Sequence, residues 1–149
     1  MSSRHATSDL PAPGIALAAL LAYSLVVCVL HFGGLAYEIY TRFWWWDILT
    51  HSLSGFGVAA WLEVVEFTPV EADEVLTLVL VVVAIGAGFE VYEYLFKDFY
   101  VEWTPAYYAA DTVIDLVVDG LGAAAFGLWY RARYGLDEVE AAVPTRSSR

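Results

Sequence analysis

The sequence predicts an all-α integral membrane protein, an antiparallel bundle of four transmembrane helices. Three observations carry that expectation. First, 60% of the 149 residues are hydrophobic, against roughly 45–50% in an ordinary soluble domain. Second, the apolar residues gather into four runs of about 20 residues or more, the length that a hydrocarbon core of about 30 Å requires. Third, the polar residues between the runs fall in short segments that carry Pro, Asp and Glu, as tight connections between neighbouring spans do.

Residues 1–12 read as a polar tail. The first run, residues 13–40, far exceeds the roughly 7–15 apolar residues of a cleaved signal peptide, and no small-x-small site follows it. It is expected to remain as a span. The second run, 44–67, opens on Trp44, Trp45 and Trp46 and closes near Glu63 and Glu66. A polar turn at 68–74 contains Pro69 and leads to the Leu- and Val-rich third run, 75–96. After a short loop the fourth run covers 107–130, and 131–149 form a polar C-terminal tail. Small residues on three of the runs, such as Gly55 and Gly57, Gly86 and Gly88, and Gly120 and Gly122, let helix backbones approach closely in a membrane.

With both termini on the cytoplasmic side, that side carries Arg4, Arg131, Arg133, Arg146 and Arg149, and the opposite side only Arg42 and Lys97. The positive-inside bias therefore predicts N- and C-termini in the cytoplasm of a multi-pass plasma-membrane protein. Aromatic residues crowd the opposite interface, among them Tyr37, Tyr40, Phe43, the three tryptophans, Tyr92, Tyr100, Trp103 and Tyr107. Amphipathic rings collect at that depth.

The net charge is −11, and Lys97 is the sole lysine. An acidic, lysine-poor surface suits solubility in high salt, which points to a halophilic source. It excludes nucleic acid as a partner, because no basic patch exists to neutralise phosphates. The partner expected is the lipid bilayer, with self-association as a second expectation. Cys28 is the single cysteine, so neither a disulfide framework nor a thiolate metal site is available.

The chemistry concentrates in one stretch. Asp111, Asp115 and Asp119 recur every fourth residue in the fourth run, which puts them within roughly 80° on one helix face. On the predicted topology they run about 12 Å inward from the non-cytoplasmic interface. Asp47 and His51 begin the second span at that same level, and Glu90 and Glu93 end the third. His31, Glu38 and Arg42 close the first. Ionisable side chains at membrane depth are costly and point to function.

Three chemistries would make such a pocket stable. Asp47, His51, Glu90 and Asp115 are candidate ligands for a divalent metal. Imidazole mixed with carboxylates suits Zn, Mn or Fe, and carboxylates alone suit Mg or Ca. Glu93 and Asp119 would then be left as catalytic general bases for metal-assisted hydrolysis of a lipid-linked or phosphate-bearing substrate. Alternatively, the acids share protons in a proton or cation pathway, although the cytoplasmic halves of the spans offer almost no ionisable residue to complete one. In the third reading, the network is structural glue between helices or a partner-binding surface. His31, Glu38, Arg42 and Asp111 complete the polar pocket. Glu38 and Arg42 also suit a plain i,i+4 ion pair, and Asp111 a helix N-cap or a solvated position.

The pattern of Asp47-x3-His51-x3-Gly55, then Glu90-x2-Glu93, then Asp111-x3-Asp115-x3-Asp119-Gly120 resembles the YjdF-like family of small integral membrane proteins. It is more distantly similar to VanZ-like proteins, whose last motif has Asn where this chain has Asp119, and Gln where it has Glu93. The likeness spans roughly residues 44–127. It implies a polytopic membrane protein and brings no defined reaction.

Overall fold

The computed structural model describes residues 13–65, 75–96 and 103–134, and every element in them is an α-helix. In chain order these are α1 (Pro13–Ala36), α2 (Ile39–Arg42), α3 (Trp45–Val64), α4 (Val75–Phe96) and α5 (Pro105–Tyr134). The expected tail at 1–12, the turn at 68–74, Glu66, Lys97, Tyr100 and the chain beyond 134 lie outside the described residues.

Among the described residues three helices are long and apolar enough to cross a membrane: Gly14–Ala36, Val75–Phe96 and Pro105–Arg133. The 20-residue α3 has the length of a span, about 30 Å, yet it is not one of the three. Asp47, Thr50, His51, Ser52 and Ser54 crowd its first half and dilute its apolar character.

The first run breaks earlier than its apolarity suggests. Helix α1 ends at Ala36, and Glu38 takes a left-handed backbone conformation, φ 55°. That bend redirects the chain into the single turn of α2. Gly34 makes the bend compact, because a side chain there would collide with the Trp46 and Tyr40 rings. Helix α5 starts two residues earlier than expected, at Pro105. Thr104 Oγ1 accepts the Tyr107 N–H at 3.2 Å, and Pro105 follows as first residue, the favoured order for a helix start. Thr104, not Asp111, is therefore the capping side chain.

Helix α5 packs mainly on α3 and α4, while α1 leans on α3. The α3–α5 seam is tight because small residues meet backbone. A Cβ on Gly55 would strike the Asp119 carbonyl, and one on Gly122 would strike the Ser52 carbonyl. The buried apolar cluster lies beyond this crossing, at Ala59, Leu78, Val82, Ala123 and Phe126. There Phe56 meets Phe126 edge-on with centroids 5.3 Å apart. Helix α1 is held to α3 by polar contacts: Tyr23 donates to the Leu53 carbonyl at 2.8 Å, and Trp61 Nε1 donates to Ser24 Oγ at 2.8 Å. The opposite faces of α1, α4 and α5 expose Leu25, Val29, Leu80, Val91, Val117 and Leu121. Such a surface is consistent with contact with the lipid bilayer.

Candidate functional site

The polar end of the α3–α5 pair is organised by one imidazole. Helix periodicity places His51 one turn after Asp47, on the α3 face that meets α5. The Gly55 and Gly122 contacts bring the two backbones close enough for His51 to reach the aspartate stripe. His51 Nδ1 lies 3.2 Å from Asp119 Oδ1. Its Nε2 points the other way, 3.6 Å from Asp47 Oδ1 and 3.8 Å from Asp115 Oδ1. Each side of the ring thus faces carboxylate.

Asp115 and Asp119 are both buried, as is Glu90. Asp119 is seated by a glycine on a third helix, since a side chain at Gly86 would collide with its Oδ2. Glu90 turns to α5 by a different route: Thr112 Oγ1 donates to Glu90 Oε2 at 2.8 Å, and Tyr108 donates to the Glu90 carbonyl at 3.0 Å. Asp111 is half-buried and lies within electrostatic range of Asp47, Glu90 and His51. The described arginines do not neutralise this set. Arg42 is exposed and pairs with Glu38 at 3.8 Å. Arg131 and Arg133 stand in the last turn of α5, about 24 Å beyond Asp115 along the helix.

Three of the four expected metal ligands meet. One donor atom each from Asp47, His51 and Asp115 lies within 4.8 Å of the others. Donors about 2.0–2.2 Å from a common Zn ion would stand about 3–4 Å apart, so small carboxylate rotations suffice. Glu90, the fourth, is occupied with Thr112 and lies outside that group. Asp119 sits against the opposite ring nitrogen from this group. That is where a carboxylate orients a metal-bound histidine. Glu93 is half-buried on α4, near enough to Tyr40 and Tyr108 to act on them electrostatically.

His31 joins a separate chain of hydrogen bonds. Tyr40 donates to Thr50 Oγ1 at 3.2 Å, and Thr50 in turn donates to the Asp47 carbonyl at 3.0 Å. Both hydroxyl hydrogens are then committed, so the 2.8 Å contact between His31 Nδ1 and Tyr40 has the imidazole N–H as donor. This relay fixes the backbone of Asp47. Sequence reasoning missed Thr50, Tyr108 and Thr112. A signal existed for the last two: Tyr108, Thr112, Asp115 and Asp119 fall at i, i+4, i+7 and i+11, one stripe of α5.

Residues 14–135 match the model of a family described as "Predicted membrane protein (DUF2238)". No curated protein and no solved structure matches the chain. The match covers well over half of the sequence, and the chain belongs to this family.

Proposed function

We propose that this DUF2238 membrane protein binds a divalent cation, Zn or Mn by the character of its ligands, through Asp47, His51 and Asp115. The single observation that carries the proposal is the approach of those three donor atoms to within 4.8 Å. Two supports stand beside it. The Asp119 carboxylate on Nδ1 leaves Nε2 aimed at Asp47 and Asp115, the orientation a metal-bound imidazole needs. And the acids at this end outnumber the cationic side chains within reach, so a bound cation relieves a repulsion that the fold otherwise has to carry.

In this proposal α3 is the fourth span of an antiparallel bundle, carried across by its packing on α5. The site opens on the side away from the cytoplasm, with both termini inside a plasma membrane. The YjdF-like likeness agrees with such a protein. Three protein ligands leave coordination positions for water or substrate, the pattern of catalytic rather than structural zinc. A metal there would polarise a substrate oxygen or activate water, with Glu93 as the proposed general base. The reaction class that fits is hydrolysis of a lipid-linked substrate.

The test is metal content after detergent purification, in wild type and in His51→Ala. Near-stoichiometric Zn or Mn is expected in wild type, with loss in the variant. If wild type supplied with either ion holds none, and a chelator leaves its stability unchanged, the network is structural and the proposal fails.

A further inference from the structure

A cleft of about 390 Å³ separates α1 from α4, with α3 as its floor. Helix α1 leans on α3, and its His31 ring meets the Phe89 ring of α4 with centroids 6.2 Å apart. The two ends of the cleft differ in chemistry. At one end stand His31, Thr50 and His51; at the other, Val27, Val58 and Val82. Val58 is seven residues beyond His51, about 10 Å deeper along α3. The walls continue onto the apolar outer surface. Ile85 lines the cleft and is 46% exposed, and Cys28 lines it and is also exposed.

We propose that this cleft holds the hydrocarbon chain of a lipid that enters sideways from the bilayer, with a neutral hydroxyl-bearing head at the end of the cleft marked by His31 and Thr50. Four considerations lead there. The cleft lies midway along helices long and apolar enough to span a membrane, so hydrocarbon is what surrounds its open side. Water at the valine end of the cleft lacks the partners that would hold it. The volume and the apolar lining with few polar groups suit a lipid-sized ligand. The polarity gradient runs in the direction of a lipid, with its tail toward the valines. Asp119 of α5 also lines the cleft, and its carboxyl oxygens suit a hydroxyl donor better than an anionic head. The cleft touches the Asp119 side of His51, not the side facing Asp47 and Asp115. Chain binding is therefore independent of the metal: either can fail while the other holds.

The probe is a long-chain alcohol with a diazirine in mid-chain, photolysed with the full-length protein in phosphatidylcholine vesicles and mapped by peptide mass spectrometry. Labelling is expected on residues 27–32 and 82–89, and excess unlabelled alcohol should suppress it. It should fall roughly tenfold in Cys28→Trp and in Ile85→Trp, which fill the cleft, and remain in Val117→Trp on the outer face of α5. The corresponding alkyl sulfate should compete poorly. If Ile85→Trp does not fold, Cys28→Trp and the wild-type competition still decide. Any of the following results overturns the proposal. In one, cleft labelling is no more suppressible than labelling of the outer α5 face. In another, it survives in both filled variants, or a second copy of the chain crosslinks there. In the third, the sulfate competes as well as the alcohol.

Discussion

The two ends of the α3–α5 pair differ as sharply as one helix pair allows. On one side of the Gly55 and Gly122 crossing the helices meet through Ala59, Ala123 and Phe126, with Leu78 and Val82 from α4. On the other they meet through His51, Asp115 and Asp119. The apolar end gains from packing, because side chains of α3, α4 and α5 interlock there. The polar end is costly: a single Asp at the centre of a membrane helix costs about 2.5–3.5 kcal/mol on insertion scales. A fold seeking stability alone would extend the apolar end through the crossing. On the proposed reading, a bound cation offsets the cost of the carboxylates on both sides of this one imidazole.

Mutations should separate the two ends. The largest effect on stability belongs to Phe126→Ala, which removes a buried ring from the apolar end and should cost about 3–5 kcal/mol. Thermal unfolding in detergent would report it, and metal content should stay at the wild-type level. Gly55→Ala acts on the crossing itself. Its methyl meets the Asp119 carbonyl, so the helices must part, at a cost of about 1–3 kcal/mol. Because the same movement carries His51 away from Asp119, metal affinity should fall with stability, linking the ends. Asp119→Asn leaves the packing in place and removes the charge that orients His51. A loss of about 10–100-fold in metal affinity is expected, read by competition with a chelating dye. Arg42→Ala is the smallest. Its exposed pair with Glu38 contributes at most about 1 kcal/mol, and neither stability nor metal binding should move measurably.

The sequence made the polar end more legible than its internal pairing. Aspartates four residues apart declare a shared helix face by periodicity alone, and the spacing of Asp47 and His51 does the same for α3. What periodicity lacks is the rotation of each helix about its own axis relative to its neighbours. That rotation turns Glu90 to Thr112 instead of His51, and sets Asp119 on the far side of the imidazole from Asp115. Tertiary packing at Gly55, Gly86 and Gly122 decides both. The end of α1 was hidden for another reason: the left-handed residue is Glu38, with neither Gly nor Pro beside it to announce a break. The spanning role of α3 was read from length, while its polar first half keeps it outside the three helices that qualify by composition.

The central claim is that Asp47, His51 and Asp115 form a cation site, and ligand-linked stability tests it most directly. A ligand present at about 100 times its dissociation constant stabilises the state that binds it by about 2.7 kcal/mol. Melting of chelator-treated protein with and without added Zn or Mn, in wild type and in Asp115→Asn, would show whether this linkage exists. The account predicts a rise in Tm for wild type with at least one of the two ions and none for Asp115→Asn. An equal rise in both proteins, or no rise in wild type with either ion, would contradict it.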